Sequence, residues 1–146
     1  MRDLFFLELQ KCIEEIQNVP LDLKSVKNDE LLRTIDELEE ISLKMLRGGG
    51  RLALEEYERR LADNPSPKAK ELHFILEQFI NGEPGELLEE IYFTRFISSS
   101  LHDYDALRYL LTIRGFLLMD EGYNARIIRL VLLNMLPEDI REDMEV

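Results

Sequence analysis

The amino-acid sequence predicts an all-α fold, about seven helices packed as a single irregular helical bundle or short helical array. Three observations lead there. Apolar residues recur at steps of three and four through nearly the whole chain, the spacing that lays a stripe along one side of a helix. No strand-length apolar run is bounded by turn residues on both sides. Glycine and proline breaks fall irregularly near 20, 48, 65, 84 and 122, dividing the chain into segments joined by short loops. The 146 residues predict one helical domain, 1–146, of a size that buries about two-thirds of its unfolded surface. No residue pattern recurs with the breaks, so a stacked repeat is not indicated.

The elements follow in order. Residues 3–18 place Leu4, Phe5, Leu9, Cys12, Ile13 and Ile16 on one stripe, with Asp3 as N-cap and Pro20 just beyond the end. Cys12 lies inside that stripe and reads as a small buried hydrophobe. Residues 20–28 alternate Leu21, Leu23 and Val26 and read as a packed connector. Asn28 or Asp29 then caps a second helix, 29–46, ended by Gly48-Gly49-Gly50. Three glycines tolerate positive φ and cost backbone entropy, so a flexible break is expected at 47–51.

A weaker stripe through Leu54, Tyr57 and Leu61 predicts a helix over 51–62, and Asp63-Asn64-Pro65-Ser66-Pro67 is the clearest loop. Ser66 and Pro67 read as the N-cap and first residue of helix 67–81. Helix 86–98 is apolar on more than half its circumference, which predicts the central helix. Helix 104–119 contains Gly115, a residue that marks a close helix crossing. Asn124 caps helix 125–136, and Pro137 opens a last short helix in which Ile140 and Met144 pair. The final ten residues hold five carboxylates and one arginine, so the acidic segment 137–146 is expected to be frayed or exposed.

The formal charge is −12, from 30 acidic and 18 basic residues. That excludes nonspecific duplex nucleic-acid binding, which rests on Lys and Arg neutralising phosphates. Residues 47–82 are locally neutral, with Arg47, Arg51, Arg59, Arg60, Lys68 and Lys70 supplying the basic groups. One cysteine excludes an internal disulfide and a four-thiolate zinc site. The run Leu4–Leu7 is cut by Glu8, too short for a signal-peptide core, and no window approaches the ~20 apolar residues of a membrane helix. A cytoplasmic protein with no membrane partner and reduced Cys12 is expected.

Four constellations bear on chemistry. Arg47-Gly-Gly-Gly-Arg51 before a helix suggests an anion held by backbone N–H groups and two guanidiniums. It lacks the Lys-Ser/Thr ending and preceding strand of a phosphate-binding loop. Six residues lie between Arg95 and His102. This spacing resembles the Arg-x4–6-His motif of HEPN-type helical-bundle ribonucleases, although Phe96 stands where those enzymes usually carry a polar residue. The resemblance implies that His102 acts on a 2′-hydroxyl proton while Arg95 stabilises phosphate charge. Glu86, Glu89 and Glu90 share a helix face, with Glu121 and Asn124 downstream. Their spacing is similar to the Mg²⁺-binding Glu pairs of all-α nucleotide pyrophosphohydrolases. His73 has no His-x3-His or Glu-x-x-His partner, so neither a zinc or di-iron site nor any other cofactor is expected.

Helices 86–98, 104–119 and 125–136 carry more apolar residues than a bundle this size readily buries, and such a surplus marks interfaces. The expected function is therefore a non-enzymatic protein–protein interaction module: an adaptor, assembly factor or complex subunit. Its apolar groove would lie on the C-terminal helices, around Tyr92, Phe96, Ile127, Leu130 and Leu133. Rimming carboxylates would favour a basic protein partner, with a second copy of the chain as the other candidate. The alternative is a small phosphodiester- or nucleotide-acting hydrolase using Arg95 and His102, or Mg²⁺ on Glu86, Glu89 and Glu90.

Overall fold

The computed structural model of the chain describes residues 2–144, with side chains described through residue 141. Among the described residues there are eight α-helices and no strand: α1 (Arg2–Gln17), α2 (Leu21–Arg47), α3 (Glu55–Ala62), α4 (Pro67–Ile80), α5 (Gly85–Ser99), α6 (Asp103–Asp120), α7 (Ala125–Leu133) and α8 (Glu138–Met144). A 3₁₀ turn, Arg51–Leu54, leads into α3.

The axis of the bundle is α6, not the α5 segment that apolar content singled out. Thirteen α6 residues are buried, and α1, α2, α4, α5 and α7 all pack on it. Between Tyr104 and Met119 only Asp105, Arg108 and Arg114 are charged, so the helix is apolar nearly all round and must be enclosed. By contrast α5 buries Leu88, Tyr92, Phe93 and Phe96 on one side and leaves Leu87 and Ile97 exposed. Two tyrosines stitch these layers together. Tyr109 on α6 donates its hydroxyl to the Tyr92 carbonyl at 2.8 Å, and Tyr92 on α5 donates to the Ile75 carbonyl of α4 at 2.7 Å. Each polar tip thus finds an acceptor inside the core, which removes the penalty of burying it.

Where α2 crosses α6, Gly115 provides the close approach. A Cβ there would lie 3.2 Å from Leu38 Cδ1, so any larger side chain overpacks the crossing. Gly115→Leu is expected to lower stability by about 1–3 kcal/mol, the usual range for overpacking a dense core. Chemical denaturation checks it, and an unchanged midpoint would mean the helices are free to separate.

Two expectations about α2 need correction. The stretch 20–28 is not a connector: Pro20 starts the helix, and its carbonyl accepts from the Leu23 and Lys24 amides. No breaker follows until Gly48, so the helix runs on. Asn28 is inside it, and its Oδ1 accepts from the Tyr104 hydroxyl at 2.8 Å. The 51–62 segment likewise divides into the 3₁₀ turn and α3. Ser66 and Asn124 do cap as expected, accepting from the Ala69 and Ile127 amides.

The C-terminal segment also differs. Leu136, Pro137 and Ile140 are buried while Glu138 and Asp139 are exposed, so α8 begins with one side against the core. The Met144 side chain lies outside the described residues.

Cys12 is buried, and its thiol donates to the Leu9 carbonyl. Burial, aided by Glu15 and Glu8, pushes the thiol up to about 12. A protonated, enclosed thiol is a poor nucleophile. The folded protein is expected to resist alkylation by iodoacetamide at pH 8, while the urea-unfolded chain reacts fully. Rapid labelling of the folded chain would contradict this packing.

Candidate functional site

The end of α2 meets the α6–α7 turn at one corner of the molecule, and glycine chemistry shapes both. Gly49, at φ +82°, lets the Gly50 amide return to the Met45 carbonyl at 2.9 Å. Gly122, at φ +90°, lets the Tyr123 amide return to the Leu118 carbonyl at 3.1 Å. These are paired left-handed helix stops. Between them lies a cleft of about 480 Å³ lined by Met45, Leu46, Gly49, Gly50, Met119 and Tyr123, among others. Its volume falls within the range of ligand pockets.

The break predicted at 47–51 is a defined turn because Arg51 fastens it. Its guanidinium pairs with Asp120 of α6, donates to the Phe79 carbonyl at 2.9 Å, and lies 4.2 Å from the Phe79 ring centroid. Leu46 is nevertheless 75% exposed, Leu52 71% and Tyr123 49%. Three large apolar side chains therefore remain in water at or beside a fixed corner.

A second feature joins α4 to α6. Arg108 Nη2 reaches Glu71 Oε2 at 3.2 Å, and Nη1 reaches Asp105 at 2.8 Å. Clefts open on either side of this pair, one toward Leu38, Leu61 and Thr112, the other toward Lys70, Arg95 and Ser99. Burial raises the Glu71 carboxyl above its ordinary value despite the attraction of Arg108.

The residues expected to act together do not. Arg95 lies over the Phe74 ring, 3.7 Å from its centroid. His102 is 71% exposed and lines a separate cleft with Glu8, Lys11 and Glu15. The two side chains thus line different clefts that meet at Leu101. Arg47 is exposed, but Arg51 is already satisfied by Asp120 and Phe79, so the two do not cradle an anion. Glu86, Glu89 and Glu90 form no three-ligand group. Glu89 instead shares a cleft with Glu121, Arg2 and Arg114, whose guanidiniums supply counter-charge.

Tyr92 and Phe96 are buried in the core and offer nothing to a partner. Leu130 is 51% exposed, and Ile127 and Leu133 are half-buried on the same helix. Most of the apparent apolar surplus is absorbed by α6, with Ile128, Leu132, Met135 and Leu136 also joining the core.

One constellation was missed. Glu58, His73 and Glu77 bring one potential ligand atom each to within 4.8 Å of one another, the only such three-residue group among the described residues. The His73-x-x-x-Glu77 spacing, one helical turn, was the available signal. Glu58 comes from α3 across the proline loop. No described helix is long and apolar enough to cross a membrane. No protein-family description, curated protein or solved structure matches the chain.

Proposed function

We propose that the chain is a non-enzymatic helical interaction module, seating an apolar segment of a protein partner in the cleft at the end of α2. The observation that carries this reading is the exposure of Leu46 and Tyr123 in the lining of that cleft. A fixed apolar surface left in water gains free energy when a partner covers it. Met45 and Met119 in the lining are unbranched and polarisable, and adapt their shape to an inserted side chain. Leu130 adds apolar surface on α7, whose first residue lines the cleft.

The groove thus moves from the faces of the C-terminal helices to their junction with α2. The one charged side chain in its lining is Arg51, already paired. Selection by apolar anchors therefore replaces the expected preference for a basic partner. The hydrolase alternative loses its support with Arg95 and His102 in separate clefts.

The test compares tagged wild type, Leu46→Asp/Tyr123→Asp and the control Leu87→Asp in the native host, with co-purifying proteins quantified by mass spectrometry. A stoichiometric partner held by wild type and control but lost from the double variant is the expected result. Equal recovery with all three, or no partner with any, overturns the reading.

A further inference from the structure

We propose that Glu58, His73 and Glu77 form a zinc site that clasps α3 to α4. The two helices form a hairpin closed by the proline loop, in which the Ser66 amide donates to Asn64 Oδ1 and Ser66 caps α4. His73 and Glu77 lie one turn apart on α4 and present to one side. Glu58 meets them from α3: its Oε1 lies 3.1 Å from His73 Nε2, while His73 Nδ1 lies 3.8 Å from Glu77 Oε2.

The donor set is one imidazole nitrogen and two carboxylate oxygens. Imidazole suits borderline metals such as zinc, and carboxylates complete three-ligand zinc sites with the fourth position open to water. Ligand atoms on a tetrahedral zinc stand about 3.3 Å apart, given metal–ligand bonds of ~2.0–2.1 Å. The His73–Glu58 separation already meets that spacing. Glu77 now faces Nδ1, the other ring nitrogen, and as the most exposed of the three swings its carboxylate toward Nε2, one ligand atom from each residue already lying within 4.8 Å of the others. The ring binds through a neutral nitrogen, so a proton held there passes to solvent as the metal–nitrogen bond forms.

The attachment of α3 gives the site a purpose. None of its eight residues is buried. Its attachment to the body rests on Tyr57 and Leu61, only partly buried against the core, with the Tyr57 hydroxyl donating to Glu37 and Lys44 over the Tyr57 ring. A helix held this way has low local stability, and a metal bridging it to α4 adds its binding free energy to that attachment. The acidic rim, with Glu55 and Glu56 in the same first turn, also attracts a divalent cation.

The test titrates zinc chloride into tag-free protein by calorimetry, with melting curves and cobalt(II) absorption as second readouts. About one zinc per chain is expected, with a higher melting temperature and a cobalt band in the visible. His73→Gln and Glu77→Gln are each expected to weaken binding by more than about tenfold, a loss that removing even an outer partner of a metal ligand produces. His102→Gln, at the chain's other histidine, is expected to bind like wild type. Glu77 is partly exposed, so Glu77→Gln keeps the fold even if His73→Gln does not. No zinc uptake by wild type, or uptake unchanged by Glu77→Gln, overturns the proposal.

Discussion

Replacing Phe116 by alanine is expected to lower stability by about 3–5 kcal/mol, the range for emptying a buried phenylalanine site. Phe116 is fully enclosed on α6, and its ring centroid lies 5.2 Å from that of Phe79 on α4. The lost ring removes transfer free energy and leaves a void that dense neighbours fill only in part. Against a total stability of ~5–15 kcal/mol for a domain, this is a large fraction. The effect should also reach the corner cleft. Phe79 carries the Arg51 guanidinium on its ring and carbonyl, and Arg51 fastens the glycine turn. Denaturant unfolding should show a lower midpoint with an unchanged slope. A loss below ~1 kcal/mol, far short of that range, would mean α6 is not the packed axis.

Arg108→Ala is expected to be nearly as damaging, and its effect should depend on pH. Arg108 is the strongest attraction opposing the burial that raises Glu71. A carboxyl whose folded pKa lies above its unfolded value holds a proton that the unfolded chain releases. Stability from that group is present below the ordinary value of 4.5 and is lost as pH rises through the folded value. Removing Arg108 pushes the folded value higher and widens that window upward. The variant should therefore lose about 3–5 kcal/mol at pH 7, as broken buried pairs do, and much less at pH 4. Glu71→Leu/Arg108→Met should recover most of the loss, because apolar replacements remove both desolvation penalties. Denaturation of the three proteins at both pH values checks this. A pH-independent loss, or a double variant no better than the single, would contradict the assignment.

Local chemistry was legible in the sequence wherever a residue acts within one helical turn. Ser66 and Asn124 cap, and Cys12 falls in the buried stripe, all consequences of spacing over three or four residues, while Gly115 was legible from its type, a glycine inside a helix. The errors arose where exposure depends on the whole fold. Leu21, Leu23 and Val26 are apolar but exposed, so their alternation reported neither strand nor connector. Helix α5 reads as apolar on more than half its circumference, and only packing shows that it buries one side while five neighbours enclose α6.

The candidate sites were less legible still, because their contacts join distant residues. Arg51 meets Asp120 across 69 positions, which turned an apparent anion cradle into a fastener. Glu58 reaches His73 only after the proline loop folds back. Leu46 is one apolar residue among many in helix 29–46, and its exposure beside the turn at Gly49 and Gly50 shows only in the fold.

The central claim is that a protein partner covers the corner at the end of α2. Its most direct test places a photo-cross-linking amino acid at position 46 or 123, with controls at 87 and 102, and irradiates living cells of the native host. One discrete adduct with the same partner at 46 and 123, and none at the controls, is the expected result. Identical adducts at all four positions, or none at 46 and 123, would contradict it.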